Sequence, residues 1–273
     1  MQIVVPIKQV PETDQVRMDP ETGTMIRKGL SAIINPLDLY ALETALQIKE
    51  IQGGTITVLS MGPLLAEKAL REALALGCDQ AVLLTDRKFA GSDTWATAYT
   101  LAQAIRKLYP IDLVICGERA TDGDTGQVGP GIASFLDLPL ATYVDRLLGF
   151  EDGGLRVRRM VENGTETVWT NLPAVLTVVK DIANPRFPTL KQKLASKNTT
   201  ILNWGVDDLV IDESQLGLRG SPTRVVKIEK SKLSRKGDRV EALTPEGVNH
   251  AADRIIRYLE AHHFIDLAKG TSQ

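Results

Sequence analysis

Leu113-Val114-Ile115-Cys116-Gly117-Glu118-Arg119-Ala120-Thr121-Asp122-Gly123-Asp124-Thr125-Gly126-Gln127-Val128-Gly129-Pro130 passes from a short apolar run, through a loop of glycines and acids, toward a helix. An unbroken apolar run of this length reads as a strand buried on both faces. Upstream, residues 3–7, 55–59 and 81–85 are runs of the same kind, and helical patterns separate them. Asn35-Pro36 offers an N-cap and a first-turn proline for a helix to about Gln52, with Ala41, Leu42, Ala45, Leu46 and Ile48 on its apolar side. Gly53-Gly54 stops it. A second helix follows Gly62-Pro63 and carries Leu65, Ala69, Ala73 and Leu76; a third runs from about Asp93 to Leu108. Strands alternating with helices predict an α/β fold, a doubly wound, mostly parallel, Rossmann-like sheet.

Downstream the pattern changes at about Tyr143. Residues 155–161 and 165–170 flank the turn-forming Glu162-Asn163-Gly164 and predict an antiparallel hairpin, and residues 173–179 predict another central strand. Residues 181–200 hold two prolines and four Lys or Arg after Pro185, without clear periodicity, and a connection that long is usually functional or disordered. Residues 224–239 carry seven Lys or Arg against Glu229 and Asp238, and Thr244-Pro245-Glu246-Gly247 opens a terminal helix through about His262. The expected organisation is an α/β domain over residues 1–223 and a C-terminal arm over residues 224–273.

Composition narrows the function. The 273 residues are 43% hydrophobic, 24% charged and 5% aromatic, an ordinary globular balance, and 32 basic against 34 acidic side chains leave a net charge of −2. Such a chain has no overall field to hold nucleic acid or an anionic membrane. Its apolar runs are too short to span a bilayer and its start lacks the marks of a signal peptide, so the expectation is a cytoplasmic protein with no membrane insertion. Cys78 and Cys116 are too few for a disulfide framework, and His250, His262 and His263 have no cysteine pair nearby, so no metal site is expected.

Ligands of open parallel sheets bind at the carboxyl ends of the strands, at the topological switch point. Four segments fall at such ends: residues 6–9, residues 60–63, Phe89-Ala90-Gly91-Ser92-Asp93-Thr94, and residues 117–130. In the last, glycines let the backbone approach a phosphate, the next helix's first amides suit an anion, and Asp122 and Asp124 can take ribose hydroxyls or cap turns. Because GxGxxG and Walker A are both missing, a plain glycine-aspartate turn stays open.

The sequence closely resembles the β subunit of electron transfer flavoproteins over nearly its whole length. The marks are Lys8-Gln9-Val10-Pro11, Asn35-Pro36 with Ala41-Leu42-Glu43, Ser60-Met61-Gly62-Pro63, Asp122-Gly123-Asp124-Thr125, and the hairpin residues Val157, Arg159, Glu162, Gly164, Glu166, Val168, Pro173, Val175, Leu176 and Thr177. Asn163 departs from the family's usual acid or glycine, a change a turn tolerates. The resemblance implies pairing with a flavin-holding α subunit, and an adenine nucleotide on this chain: AMP in conventional members, FAD in members that take electrons from NADH and split them between a low-potential acceptor such as ferredoxin and an acyl-CoA or related dehydrogenase or reductase. It places the cofactor on Pro6, Asn35, Pro36, Leu37, Asp38, Met61, Gly117, Glu118, Arg119, Ala120, Thr121, Asp122, Gly123, Asp124, Thr125, Gly126, Gln127 and Val128. The Asp122 loop, residues 8–11 and the Phe89 segment look like the bifurcating branch, with Gly91, Ser92, Asp93 and Thr94 beside the FAD; Gly126 stands where that branch more often has Ala. Residues 181–200 are similar to the family's partner-recognition loop, with Leu190 as the docking anchor, and the arm is expected to pack on the α subunit. No catalytic residue is assigned.

Other classes are weaker. An ATP pyrophosphatase would need a Ser-Gly-Gly phosphate loop where Lys8-Gln9-Val10-Pro11 stands, whereas a regulatory adenine-nucleotide module without redox chemistry remains an alternative. The basic run lacks the aromatic residues that stacking on nucleic acid needs and reads as a solvated linker. His262 and His263 read as surface, Cys116 as an inert buried thiol, and Trp95, Trp169 and Trp204 as packing or interface residues.

Overall fold

The computed structural model describes residues 1–12, 32–226, 237 and 239–265. The chain divides into two compact units, residues 1–227 and 228–273. In the first, strands β1 (Gln2–Pro6), β2 (Gln9–Pro11) and β3 (Ala32–Ile34) precede helix α1 (Pro36–Gln52). Then follow β4 (Thr55–Met61), α2 (Glu67–Leu76), β5 (Gln80–Leu84), α3 (Thr94–Lys107), β6 (Leu113–Gly117) and α4 (Val128–Leu136). The remainder is β7 (Leu140–Glu151), β8 (Gly154–Val161), β9 (Gly164–Asn171), β10 (Ala174–Val178), α5 (Leu190–Asn198), β11 (Ile201–Trp204) and α6 (Gly217–Gly220).

The nine-stranded sheet has the order β11-β5-β4-β1-β6-β10-β7-β8-β9. Pairing is parallel from β11 to β7 and antiparallel through β7, β8 and β9. Successive strand residues face opposite sides of a sheet. Ile3 and Val5 accordingly join the apolar cluster of α1 and α2, and Val4 joins that of α3 and α4. The doubly wound parallel sheet is therefore present. The chain lays β1, β4 and β5 outward and then returns to the other side of β1 as β6, which puts the switch point between β1 and β6.

Four local expectations are corrected. Leu65 lies outside α2, in a single 3₁₀ turn, and is exposed. Residues 181–200 are not all loop, because α5 fills their second half behind a Thr189–Gln192 capping box. The change at Tyr143 is a break inside one long strand: Tyr143 has φ 54°, and the pairing of β7 with β10 slips there by a bulge before β7 turns to β8. Asn35 precedes α1, but its side chain does not cap the helix.

In the second unit, α7 (Pro245–Ala261) starts at Thr244, whose hydroxyl accepts from the Gly247 amide. None of its side chains is buried, and Val248, Ile255, Ile256 and Tyr258 are exposed. Among the described residues no helix is long and apolar enough to cross a membrane. Most of the basic run, Glu229 and Asp238 among it, lies outside the described residues.

Candidate functional site

The carboxyl ends of β1 and β6 open a crevice, and the segments beyond them are tied across it. Lys8, just past β1, gives its ammonium to Asp122 at 2.8 Å, and its amide donates to the Asp38 carboxylate at 2.7 Å. Asn35 Nδ2 donates to the Arg119 carbonyl at 2.9 Å, and the Thr121 amide donates back to Asn35 Oδ1 at 3.1 Å. Asn35 is fully buried, so its amide is committed to the loop and not to the helix that follows. Pro6, Pro36, Leu37 and Asp38 are thereby brought to the same edge as residues 117–128. Met61 ends β4, the neighbour of β1, and so stands at that edge too.

Close approach explains two glycines. A side chain at Gly117 would put Cβ 2.5 Å from Asp38 Oδ1 and 2.8 Å from the Leu37 carbonyl oxygen, so the first turn of α1 rides directly on the end of β6. At Gly129, Cβ would lie 2.5 Å from Thr177 Cγ2, which seats the start of α4 against β10. The intervening loop turns by amides of Gly123 and Asp124 donating to the Ala120 carbonyl, with Asp124 at φ 56° and paired to Arg119 at 3.0 Å. Residues 121–125 are exposed, and a Cβ at Gly123 would meet no protein atom within 4 Å. An open backbone leading to a helix start, and two carboxylates able to accept from hydroxyls, suit the phosphates and ribose of an adenine nucleotide.

Asp38 is the electrostatic peculiarity of the crevice. Burial pushes its carboxyl up to about 7, against the opposing hydrogen bonds from the Lys8 amide and Asn35 and the Lys8 charge. Burial likewise raises the Cys116 thiol, consistent with an inert sulfur.

The Phe89 segment meets the crevice at one point, where the Thr94 hydroxyl donates to Gln127 Oε1 at 3.1 Å. Its side chains have local tasks. Phe89 is buried, Ser92 Oγ donates to the Phe89 carbonyl at 2.8 Å, and Gly91 takes φ 77°. Asp93 is the N-cap of α3. One oxygen accepts from the Ala96 amide at 3.1 Å and the other from the Thr223 amide and hydroxyl at 2.9 and 2.7 Å. Burial pushes this carboxyl up, but those hydrogen bonds prevail and hold it below its ordinary range. Beside Thr94 and Gln127 lies a shallow depression of about 290 Å³, lined also by Trp95, Phe135, Pro222 and Thr223, with the Trp95 and Phe135 rings edge to face at 4.8 Å.

Leu190 is not part of this site; it begins α5 and is 75% exposed. Sequence reasoning placed Lys8 in a strand-end segment, Arg186 in the recognition loop and Glu43 among the family marks without naming their partners, and it gave no role to Arg71. The Thr189-x-x-Gln192 spacing is the signal that could have found α5.

Comparison with known proteins agrees with this geometry. Residues 22–209 match the electron transfer flavoprotein domain. An electron transfer flavoprotein subunit beta of Thermoanaerobacterium thermosaccharolyticum is 48% identical over 268 residues, covering 97% of this chain and all of the relative. The caffeyl-CoA reductase-Etf complex subunit CarD of Acetobacterium woodii is 42% identical over 97% of this chain and all of its own length. Protein FixA of Azotobacter vinelandii is 41% identical over 96% of each chain. With the domain, the crevice and full-length relatives in agreement, this chain belongs to the electron transfer flavoproteins, as a β subunit.

Proposed function

We propose that the chain binds FAD in the crevice between β1 and β6 and, with its α subunit, takes electrons from NADH and divides them between a low-potential acceptor and a dehydrogenase. The observation that carries FAD over AMP is the Thr94–Gln127 contact. Beside it, where the nucleotide loop ends at Gln127, lies the depression walled by Trp95 and Phe135, which we read as space for a group larger than an adenosine phosphate. The relative named as part of a caffeyl-CoA reductase complex supports a reductase or dehydrogenase as partner.

The flavin, when bound, supplies hydride acceptance and one-electron release. The chain's own residues bind and orient. Backbone amides of residues 117–128 would meet the pyrophosphate and Asp122 and Asp124 the hydroxyls, and Asn35 and Lys8 fix the loop that carries both. Asp38, protonated below about pH 7, keeps a negative charge away from that phosphate site. Cofactor analysis of the purified αβ complex tests the proposal: FAD on each subunit and bleaching by NADH are expected. AMP on this chain, with no NADH-dependent bleaching, would leave it a structural and docking subunit.

A further inference from the structure

Helix α5 has nine residues, too few to hold its shape alone in water. It is nevertheless fastened at each end. The Gln192 amide donates to Thr189 Oγ1 at 3.2 Å, and the Thr189 amide donates to Gln192 Oε1 at 3.1 Å. At the carboxyl end Arg71 of α2 donates one Nη to the carbonyls of Ser196 and Thr199 at 2.5 and 2.6 Å. The chain entering the helix is fixed by Arg186. Its Nε and Nη2 bond the Glu43 carboxylate at 2.8 and 2.9 Å, its own amide adds a bond at 3.1 Å, and its Nη1 reaches Glu50 at 2.5 Å. The Glu43 side chain is only 6% exposed. Burial pushes its carboxyl up, but the bonds from Arg186 outweigh that and hold it below the ordinary range, so the pair is ionised. Between these fastenings Phe187, Leu190 and Leu194 stand exposed at 93%, 75% and 55%. The order of the segment therefore does not come from burying its own apolar side chains.

We propose that Arg186, through Glu43 and Glu50, and Arg71, through the carbonyls of Ser196 and Thr199, are positioning residues that keep α5 folded in the free complex, so that Leu190 meets its partner ready-made. This rests on Leu190 being the docking anchor. Guanidinium forks suit the task, because paired planar hydrogen bonds fix direction as well as distance. A preordered segment binds without first losing conformational entropy. If loss of a clamp leaves the competent form populated about a tenth of the time, apparent affinity falls about tenfold.

The test uses the αβ complex with an acyl-CoA dehydrogenase as partner and the variants Arg186→Ala, Arg71→Ala and Leu190→Ala. Among the described residues Arg71 bonds carbonyls, so its variant strands no buried carboxylate and guards against a folding defect peculiar to Arg186→Ala. In both clamp variants tryptic cleavage after Lys191 and Lys193 should quicken, and KM for the dehydrogenase should rise by about tenfold, with kcat and flavin content unchanged. Leu190→Ala should raise KM without quickening cleavage. Unchanged cleavage in both clamp variants overturns the proposal. A KM that moves only in Leu190→Ala overturns it while leaving the anchor standing. A KM unmoved in all three variants overturns the anchor and the proposal together.

Discussion

Thr121 donates its amide to Asn35 Oδ1 at 3.1 Å, across 86 positions of the chain. The residue best placed to cap α1 thus serves the nucleotide loop, and α1 begins on Pro36 without a side-chain cap. Asn35→Ala should destabilise the αβ complex by about 1–3 kcal/mol, the range for stranding buried polar groups. Asn35→Ser is the sharper variant: serine is a good cap, yet too short to reach both Arg119 and Thr121. It should lose nucleotide affinity as the alanine variant does. A serine variant with wild-type affinity in calorimetry would show that capping, not the loop, is what position 35 supplies.

Asp38 sets a pH dependence. In the unfolded chain its proton leaves near 3.8, whereas in the folded protein it is held to about 7. Between these values the native state binds more protons, so this group's contribution to stability declines as pH rises through that window, by at most about 1.4 kcal/mol per unit. Asp38→Asn should flatten the decline. Urea midpoints of the αβ complex at pH 5 and pH 7.5 measure it, and an equal drop in variant and wild type would remove Asp38 as the cause.

Gly123 and Gly117 separate ligand contact from folding. Because a Cβ at Gly123 meets no protein atom, Gly123→Val should spare stability and weaken nucleotide binding tenfold or more, on the order of 1.4 kcal/mol. Gly117→Ala instead drives Cβ into Asp38 and Leu37 and should lower the melting temperature as well. Unchanged affinity in Gly123→Val would mean that the loop does not lie against the ligand.

The exposed apolar residues of α7 lead to a prediction about the isolated chain. Val248, Ile255, Ile256 and Tyr258 are exposed among the described residues, a face suited to a partner. Expressed without the α subunit, the chain should self-associate, and light scattering of the β chain alone checks this. A monodisperse monomer would argue against the arm as an α-subunit contact.

Much of the sheet was legible in the sequence because its parallel strands are buried on both faces and read as unbroken apolar runs, as in Leu113-Val114-Ile115-Cys116. Strand β7 was not, since one face of it is wet and its burial alternates irregularly past the Tyr143 bulge. Helix α5 escaped because its apolar residues, Leu190 and Leu194, point to solvent, so no core-facing stripe marks it. Within the site, the glycines and acids of residues 117–128 announced themselves. Partnerships such as Lys8 with Asp122, or Asp93 with Thr223, join positions more than 100 residues apart, and no local spacing encodes them.

Strands β10 and β11 lie five places apart in the sheet, and the chain between them, α5 included, is one strap pinned at both ends. At about 4.8 Å per strand, the two strands are roughly 24 Å apart across the sheet. Everything that strap displays can therefore be exchanged without rethreading the domain. With Leu190 as the proposed docking anchor, grafting residues 187–194 from one relative to another should transfer the choice of dehydrogenase while leaving the crevice at β1 and β6 unaltered, and partner preference would then be a replaceable cassette on a constant frame.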